Sequence, residues 1–120
     1  MDARPQPRMS QRFRGGDVDV ERLRRIASGD GKALAEVFDL HSPVVLGLLV
    51  RILGSRNEAE DVLQEVFLQV WARAERFDPA SSTPRGWVLA FARQRAIERL
   101  RDRERFGREQ RSRPGRTGRP

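Results

Sequence analysis

The sequence contains no cysteine and a single histidine, His41. The lack of cysteine excludes a disulfide scaffold and thiolate chemistry, and one histidine leaves a histidine-based metal site without enough ligands. No glycine-rich phosphate loop is present. One group of carboxylates occurs within residues 58–65. Neither a histidine nor a second acidic helix is expected to face it, so acid–base chemistry is not expected there. We therefore predict that the chain is not an enzyme and uses no cofactor. The carboxylates in question are Glu58, Glu60, Asp61 and Glu65.

Long apolar runs are also missing. No stretch approaches the roughly 18 consecutive apolar residues of a membrane-spanning helix, and residues 1–14 lack the apolar core of a secretory signal. We therefore expect a cytoplasmic protein without a membrane span. The length of 120 residues and the hydrophobic content of 38% suit one small domain flanked by tails.

Lysine is nearly absent, since 23 arginines and only Lys32 supply the positive side chains. The net charge of +7 is unevenly placed, because residues 56–78 carry −3 whereas residues 85–120 carry +8. A basic C-terminal segment can neutralise the phosphates of a nucleic acid or an acidic protein surface. The alternative is a solvated tail whose arginines reflect codon usage.

Apolar residues recur at helical spacing along the chain, without strand-like alternation or an internal repeat. A first short helix is expected to begin at Asp17 or Asp19 and to end within residues 28–31. The next helical pattern meets Ser42-Pro43, which starts either a new helix or a kinked continuation to Gly54. This part is apolar nearly all round, which places it at the centre of a bundle.

Two further helices follow in the pattern. Ser55 or Asn57 can cap the first of them. Acidic residues in its first turn interact favourably with the positive end of the helix dipole. Thr83 followed by Pro84 repeats the signature of a cap and a first helical residue, and the last helix fades near residues 106–107.

These patterns together predict an all-α fold, namely a compact three- to four-helix bundle over residues 17–106. Residues 1–16 contain proline and glycine among polar residues and are expected to form a disordered leader. Residues 107–120 are rich in arginine, glycine and proline and are expected to form a disordered tail.

Residues 59–71 carry two different helical faces. One face is apolar, and the residues predicted to be buried on it are Ala59, Val62, Leu63, Val66, Phe67, Val70, Trp71 and Ala74. The other is a stripe of acidic and amide side chains with one apolar member, and it consists of Asp61, Gln64, Glu65 and Leu68. The first face forms a core, and the second is available to dock a partner.

The last helix combines aromatic residues with arginines. Trp87 and Phe91 belong to its apolar pattern, and Arg93, Arg95, Arg99, Arg101 and Arg103 interrupt that pattern. Aromatic side chains beside arginines can stack with unpaired bases while the arginines contact phosphates. The alternative is that Trp87 and Phe91 are core residues and that the arginines form the solvated face of the helix.

The order and spacing of these motifs resemble region 2 of bacterial sigma factors, in the extracytoplasmic-function (ECF) group of the sigma-70 family. The resemblance covers about residues 18–105. It rests on Ala33-x-x-x-Val37-Phe38, Leu49-x-x-Ile52-Leu53-Gly54, the acidic helix at 59–71, Arg76-Phe77-Asp78 and the tryptophan-led basic helix at 85–101.

The resemblance implies a subunit that binds core RNA polymerase and helps to melt promoter DNA. In the family, the outward stripe packs on the clamp helices of the beta-prime subunit, and the positions here are Asp61, Gln64, Glu65 and Leu68. The −10 element is read on the non-template single strand, with one base flipped into a pocket. The positions implied for the pocket and the adjoining basic face are Phe77, Asp78, Ser81, Ser82, Leu89, Phe91, Arg93, Gln94, Arg95, Glu98 and Arg101. The family also implies an anti-sigma factor as a further partner.

The sequence departs from the family pattern in two respects. Many relatives carry asparagine at Gln94 and aspartate at Glu98, so both side chains here are longer by one methylene. Family members usually continue into a helix-turn-helix domain that reads the −35 element, and residues 106–120 cannot supply one. The alternatives considered are an isolated domain, a truncated gene product and a factor that acts without that domain.

Three functions are compatible with these features of the sequence. The first is a sigma-type initiation module that binds polymerase and the opened −10 element. The second is a regulator that occupies the polymerase clamp or an anti-sigma factor without supporting initiation. The third is an unrelated basic bundle that binds nucleic acid without specificity.

Overall fold

The computed structural model describes residues 15–112, with side chains for residues 18–110. Within that range it is helical apart from short connections and contains no strand, so the prediction of an all-α bundle is confirmed. The α-helices are α1 (Gly15–Ala27), α2 (Gly31–Leu53), α3 (Arg56–Arg73) and α4 (Pro84–Ser112), and a 3-10 helix (Ala74–Arg76) follows α3.

Helix α1 begins earlier than the sequence pattern indicates. Its first residue is Gly15, so Asp17 and Asp19 lie inside the helix, and neither is its N-cap. Asp19 is 4% exposed and its carboxylate is paired with His41 of α2. A carboxylate used in a buried pair is not available for the backbone N–H groups of a helix start. Residues 1–14, the rest of the predicted leader, lie outside the described residues.

Side-chain caps set the starts of the other helices. Asp30 Oδ1 accepts hydrogen bonds from the backbone N–H groups of Lys32 at 2.9 Å and Ala33 at 3.2 Å. Of the two caps weighed for α3, Ser55 is the one used, because its Oγ accepts from the Glu58 N–H at 3.2 Å. Each such cap satisfies backbone donors that have no partner within the helix.

Helix α2 runs without interruption through Ser42-Pro43, so the alternative of a new helix at that point is not realised. It ends at Gly54, whose φ of 72° is the left-handed conformation that glycine adopts at little cost. The helix packs against α1, α3 and α4, which is the central position that the sequence indicates. Its buried residues are Ala33, Val37, His41, Val45, Leu49 and Leu53.

By length and composition alone, α2 is apolar enough to cross a membrane. Its position accounts for that composition in another way, because it lies between the three other α-helices of the bundle. The buried His41–Asp19 pair lies midway along it. The buried residues of α2 therefore belong to the core of the bundle, whereas Leu40 and Val44 are exposed apolar side chains of the same helix.

The inner face of α3 forms the other half of the core. Phe67 lies edge-on to Phe38 of α2, with ring centroids 4.9 Å apart. Trp71 differs from the prediction, since it is 41% exposed. Val70 lies near the centre of the buried face. Trp71, the next residue, is rotated from it by about 100° and so lies beyond the edge of that face. The members of that face that are buried are Ala59, Val62, Leu63, Val66, Phe67 and Val70, and Ala74, the first residue of the 3-10 helix, is buried as well.

Helix α4 continues to Ser112, past Gly107, where the sequence pattern places the end of the domain and the start of a disordered tail. The residues around Gly107 are mostly arginine, glutamate and glutamine, whose high helix propensity offsets the roughly 1 kcal/mol that glycine costs. An ion pair between Arg105 and Asp102, one turn apart, adds to this. Residues 113–120 of the predicted tail lie outside the described residues.

Candidate functional site

The predicted docking stripe lies on the solvent side of α3. Asp61 keeps 71% of its side chain exposed, and Leu68 is 65% exposed. Gln64 is also exposed, whereas Glu65 is partly covered by α4. The structure therefore brings the four residues together on one outward face, with an apolar side chain beside acidic and amide groups.

A row of ion pairs joins this edge of α3 to α4. Arg95 Nε lies 2.6 Å from Glu65 Oε1, and Arg99 Nη2 lies 3.8 Å from Asp61 Oδ2. A third pair joins Arg103 to Glu58. We call these three pairs the acid–arginine row. The row is not among the features predicted from the sequence, although the matched helical spacings of 58, 61, 65 and of 95, 99, 103 are a signal for it in antiparallel helices.

The arginines of the row have further contacts. Arg95 Nη1 donates to Glu98 at 3.2 Å, and Arg103 Nη2 donates to the backbone carbonyl of Leu53 at 3.3 Å. Arg99 Nη1 is buried and has no hydrogen-bond partner among the described residues. Because the pairs are partly exposed, each contributes only about 0.2–1 kcal/mol to stability. Such weak pairs can be exchanged for contacts with a partner.

A groove of about 370 Å³ lies between α3 and α4. Buried Val66 and half-buried Phe91 supply its apolar surface, and charged and amide groups supply the rest. Its volume is at the lower end of the range for small-ligand pockets, so a nucleobase can enter it without filling it. The residues that line this α3–α4 groove are Glu65, Val66, Leu68, Gln69, Arg73, Phe91, Gln94, Arg95 and Glu98.

Three aromatic rings connect the loop before α4 to the groove. Trp87 lies edge-on to Phe77, with ring centroids 5.4 Å apart, and edge-on to Phe91, with centroids 4.8 Å apart. Trp87 packs against the hydrophobic core, in agreement with the core alternative for this residue. Phe77 does not itself line the groove, and it reaches the groove only through the other two rings.

The loop at residues 77–83 is folded by Asp78. Its Oδ1 accepts from the Ala80 N–H at 2.9 Å, and its Oδ2 accepts from Ser81 Oγ at 2.9 Å. These two hydrogen bonds lower the pKa of the Asp78 carboxyl, the backbone N–H having the larger effect. The backbone N–H of half-buried Ser82 donates to the Asp78 carbonyl at 3.3 Å. Asp78 and Ser81 thus serve the shape of the loop and do not line the groove.

The structure does not bring all of the implied pocket residues together. Leu89 and Arg93 lie one turn apart on another face of α4 and line a separate depression against α2. Arg101 is exposed further along α4. The residues that share the α3–α4 groove are Phe91, Gln94, Arg95 and Glu98. Helical rotation explains the separation, because residues 89 and 91 of one helix point about 160° apart.

A buried polar cluster holds the start of α4 against the bundle. His41 Nε2 lies 2.8 Å from Asp19 Oδ2, and Arg85 Nε donates to His41 Nδ1 at 3.1 Å. Because Nδ1 accepts, the imidazole proton is on Nε2 and is donated to Asp19. Arg22 pairs with the other oxygen of Asp19 at 2.9 Å. No group of side chains suited to a metal ion occurs in the described part of the chain.

The part of the chain that contains the stripe, the groove and the loop matches a known protein family. The sequence model of Sigma-70 region 2 matches residues 37–106, which is more than half of the chain. The chain belongs to the sigma-70 family. The match includes all of α3, so the stripe and the groove both lie within the region 2 of this sigma-family chain.

Curated relatives give the group within the family. The chain is 38% identical over 95 residues to the ECF RNA polymerase sigma factor SigK of Mycobacterium tuberculosis (strain ATCC 25618 / H37Rv), covering 79% of this chain and 48% of the relative. It is 36% identical over 88 residues to SigK of Mycobacterium sp. (strain KMS), covering 73% of this chain and 45% of the relative. The chain thus spans about half the length of the curated relatives it matches. Sigma factors are transcription initiation factors and not enzymes, in agreement with the prediction from the sequence.

Proposed function

We propose that this chain binds core RNA polymerase through the stripe on α3 and holds the opened −10 element of a promoter in the α3–α4 groove. One observation carries the proposal: the exposed stripe and the α3–α4 groove lie side by side, and Glu65 and Leu68 belong to both.

The polymerase contact is supported by the chemistry of the stripe. Leu68 is a large apolar side chain that stays 65% exposed, and acidic and amide groups surround it. A coiled coil bearing arginines, such as the clamp helices of the beta-prime subunit, can cover the leucine and pair with Asp61 and Glu65. The partner thus proposed is the clamp of core polymerase.

The DNA contact is supported by the groove and by the charge around it. Phe91 offers a ring face or edge to a base, and Gln94 offers both a donor and an acceptor to the edge of that base. Flipping a base out of its stack costs a few kcal/mol, which a fitted pocket can return. Arg93 and Arg101, exposed on other faces of α4, are suited to phosphates of the non-template strand.

The experiment that tests the proposal is capture of core polymerase by the 120-residue chain, followed by crosslinking of non-template-strand oligonucleotides to the complex. We expect capture, with crosslinks at α4. Run-off transcription then separates an initiation factor from a regulator that only occupies the clamp or an anti-sigma factor. Failure to capture polymerase would remove the proposal. A factor of this kind would act in the cytoplasm, where polymerase is found.

A further inference from the structure

The α3–α4 groove contains two arginines whose situations differ. Arg95 is held by Glu65 at 2.6 Å and by Glu98 at 3.2 Å, so both carboxylates of the groove are engaged by one guanidinium group. Arg73, at the other end of the groove, is exposed and has no ion pair or hydrogen bond with a described side chain. The groove therefore has a guanidinium group that is free to bind something from outside.

The free guanidinium has suitable neighbours. Gln69 lies one helical turn before Arg73 on α3, and Gln94 faces the same groove from α4. Neither amide has a hydrogen-bond partner among the described residues. Arg95 pairs with one oxygen of each carboxylate and leaves the second oxygens and the amides as acceptors. The guanidinium group of Arg73 is the one fork of paired donors in the groove that has no partner among the described residues.

An arginine fork binds best to two acceptors that lie side by side. Guanine presents O6 and N7 in this way, and cytosine presents N3 and O2. Adenine instead places an amino donor beside each acceptor of its pairing edges, and thymine places the N3–H donor between its two carbonyls. A free fork in a groove that admits a base therefore favours guanine and cytosine over adenine and thymine.

We propose that Arg73 is a specificity-determining residue of the groove, beside Gln94, and that it selects guanine or cytosine as the base held there. The inference rests on the proposed function, since it requires that the groove receives a base. Arg73 also lies in the last turn of α3, where any cation interacts favourably with the helix dipole. Lysine retains that interaction and the charge but lacks the planar fork, so Arg73→Lys isolates the specificity role.

The test is a selection on the complex of the 120-residue chain with core polymerase. The probe is a randomised library of single-stranded DNA, and the bound molecules are sequenced. For the wild type we expect one position enriched about 10-fold in guanine or cytosine over adenine and thymine, the discrimination of a good bidentate pair. Arg73→Lys and Arg73→Ala should both lose most of that enrichment, with core polymerase still captured.

Arg76 provides the matched control. It is exposed, has no ion pair within the described residues and does not line the groove. Arg76→Lys should leave the enrichment unchanged, and Arg76→Ala should weaken binding of all sequences alike. Enrichment retained in Arg73→Lys, an equal loss for all four bases in Arg73→Ala, or a wild-type preference for adenine or thymine would each overturn the inference on Arg73. A wild-type complex that binds no DNA would overturn the proposed function as well.

Discussion

Arg95 Nε lies 2.6 Å from Glu65 Oε1, across the boundary between α4 and α3. The family resemblance places Glu65 on the polymerase-docking stripe and Arg95 on the DNA-binding face, so one ion pair joins the two proposed surfaces. Asp61 and Arg99 form a second such pair at 3.8 Å. A cationic partner on the stripe would compete with these arginines for the carboxylates and release them towards phosphates.

The first prediction tests, in the protein without polymerase, whether the carboxylates of α3 hold arginines away from DNA. Asp61→Asn with Glu65→Gln removes the carboxylate partners of Arg95 and Arg99 on α3. We expect the salt dependence of single-stranded DNA binding to steepen, by about 0.7 for each arginine that gains a phosphate. Fluorescence anisotropy titrations at several salt concentrations measure this slope.

The control for that pair is Asp39→Asn with Glu75→Gln. Both carboxylates are exposed and unpaired in the described part of the chain, so the change in net charge is the same while no arginine is released. An equal steepening in the two double variants would show that net charge alone is responsible.

Leu68 provides a test of docking that leaves the acid–arginine row intact. Because this side chain is 65% exposed and makes no ion pair, Leu68→Ala should leave the thermal unfolding midpoint nearly unchanged. If Leu68 lies at the centre of the polymerase interface, Leu68→Ala should weaken capture of core polymerase by at least about 10-fold. Leu40→Ala, at a leucine of α2 that is 46% exposed, is the matched control, and equal capture by both variants would contradict the docking surface.

Gln94 and Arg101 should differ in the kind of effect on DNA binding. Gln94→Ala removes an amide from the α3–α4 groove, so we expect a changed preference at one base of the −10 element. Arg101→Ala removes an exposed charge, so we expect weaker binding to all sequences and a shallower salt slope. Binding to a panel of non-template oligonucleotides in the polymerase complex distinguishes these outcomes. A uniform loss for Gln94→Ala would be inconsistent with base readout.

The buried cluster predicts a large effect on stability. His41→Ala leaves the carboxylate of Asp19, whose side chain is 6% exposed, and the Nε of Arg85 without their shared partner. We expect a loss of about 2–4 kcal/mol in the free energy of unfolding, measured by urea denaturation. In a double-mutant cycle with Asp19→Ala, a coupling of about 1 kcal/mol or more is expected. Asp39→Ala, at an exposed carboxylate of α2, should change stability by less than about 0.5 kcal/mol.

Asp78 should make the loop before α4 sensitive to acid. Its pKa is lowered in the folded state by the Ala80 N–H and then by the Ser81 hydroxyl. The stabilisation is therefore present above the ordinary aspartate pKa of about 3.9 and is lost as the pH falls through the lowered folded value. The difference in unfolding midpoint between the wild type and Asp78→Ala should be constant near neutral pH and shrink below about pH 4. A difference that grows on acidification would contradict this assignment.

The sequence by itself determined the features that depend on neighbours along the chain. Ser55 and Thr83 cap their helices as expected, since the hydroxyl of each reaches an N–H three residues ahead. The outward position of Asp61 and Leu68 follows from the helical period, and so does the buried face opposite them. Capping and periodicity act over a few residues, which is why they can be read without a tertiary structure.

Only the tertiary structure decided the features that depend on how two helices align. The pairing of Glu65 with Arg95 requires the register of α3 against α4, and the Asp19–His41–Arg85 cluster requires three segments far apart in the chain. Sequence periodicity specifies which residues of one helix share a face, whereas the position of a helix relative to its neighbour is set by core packing over long sequence separations.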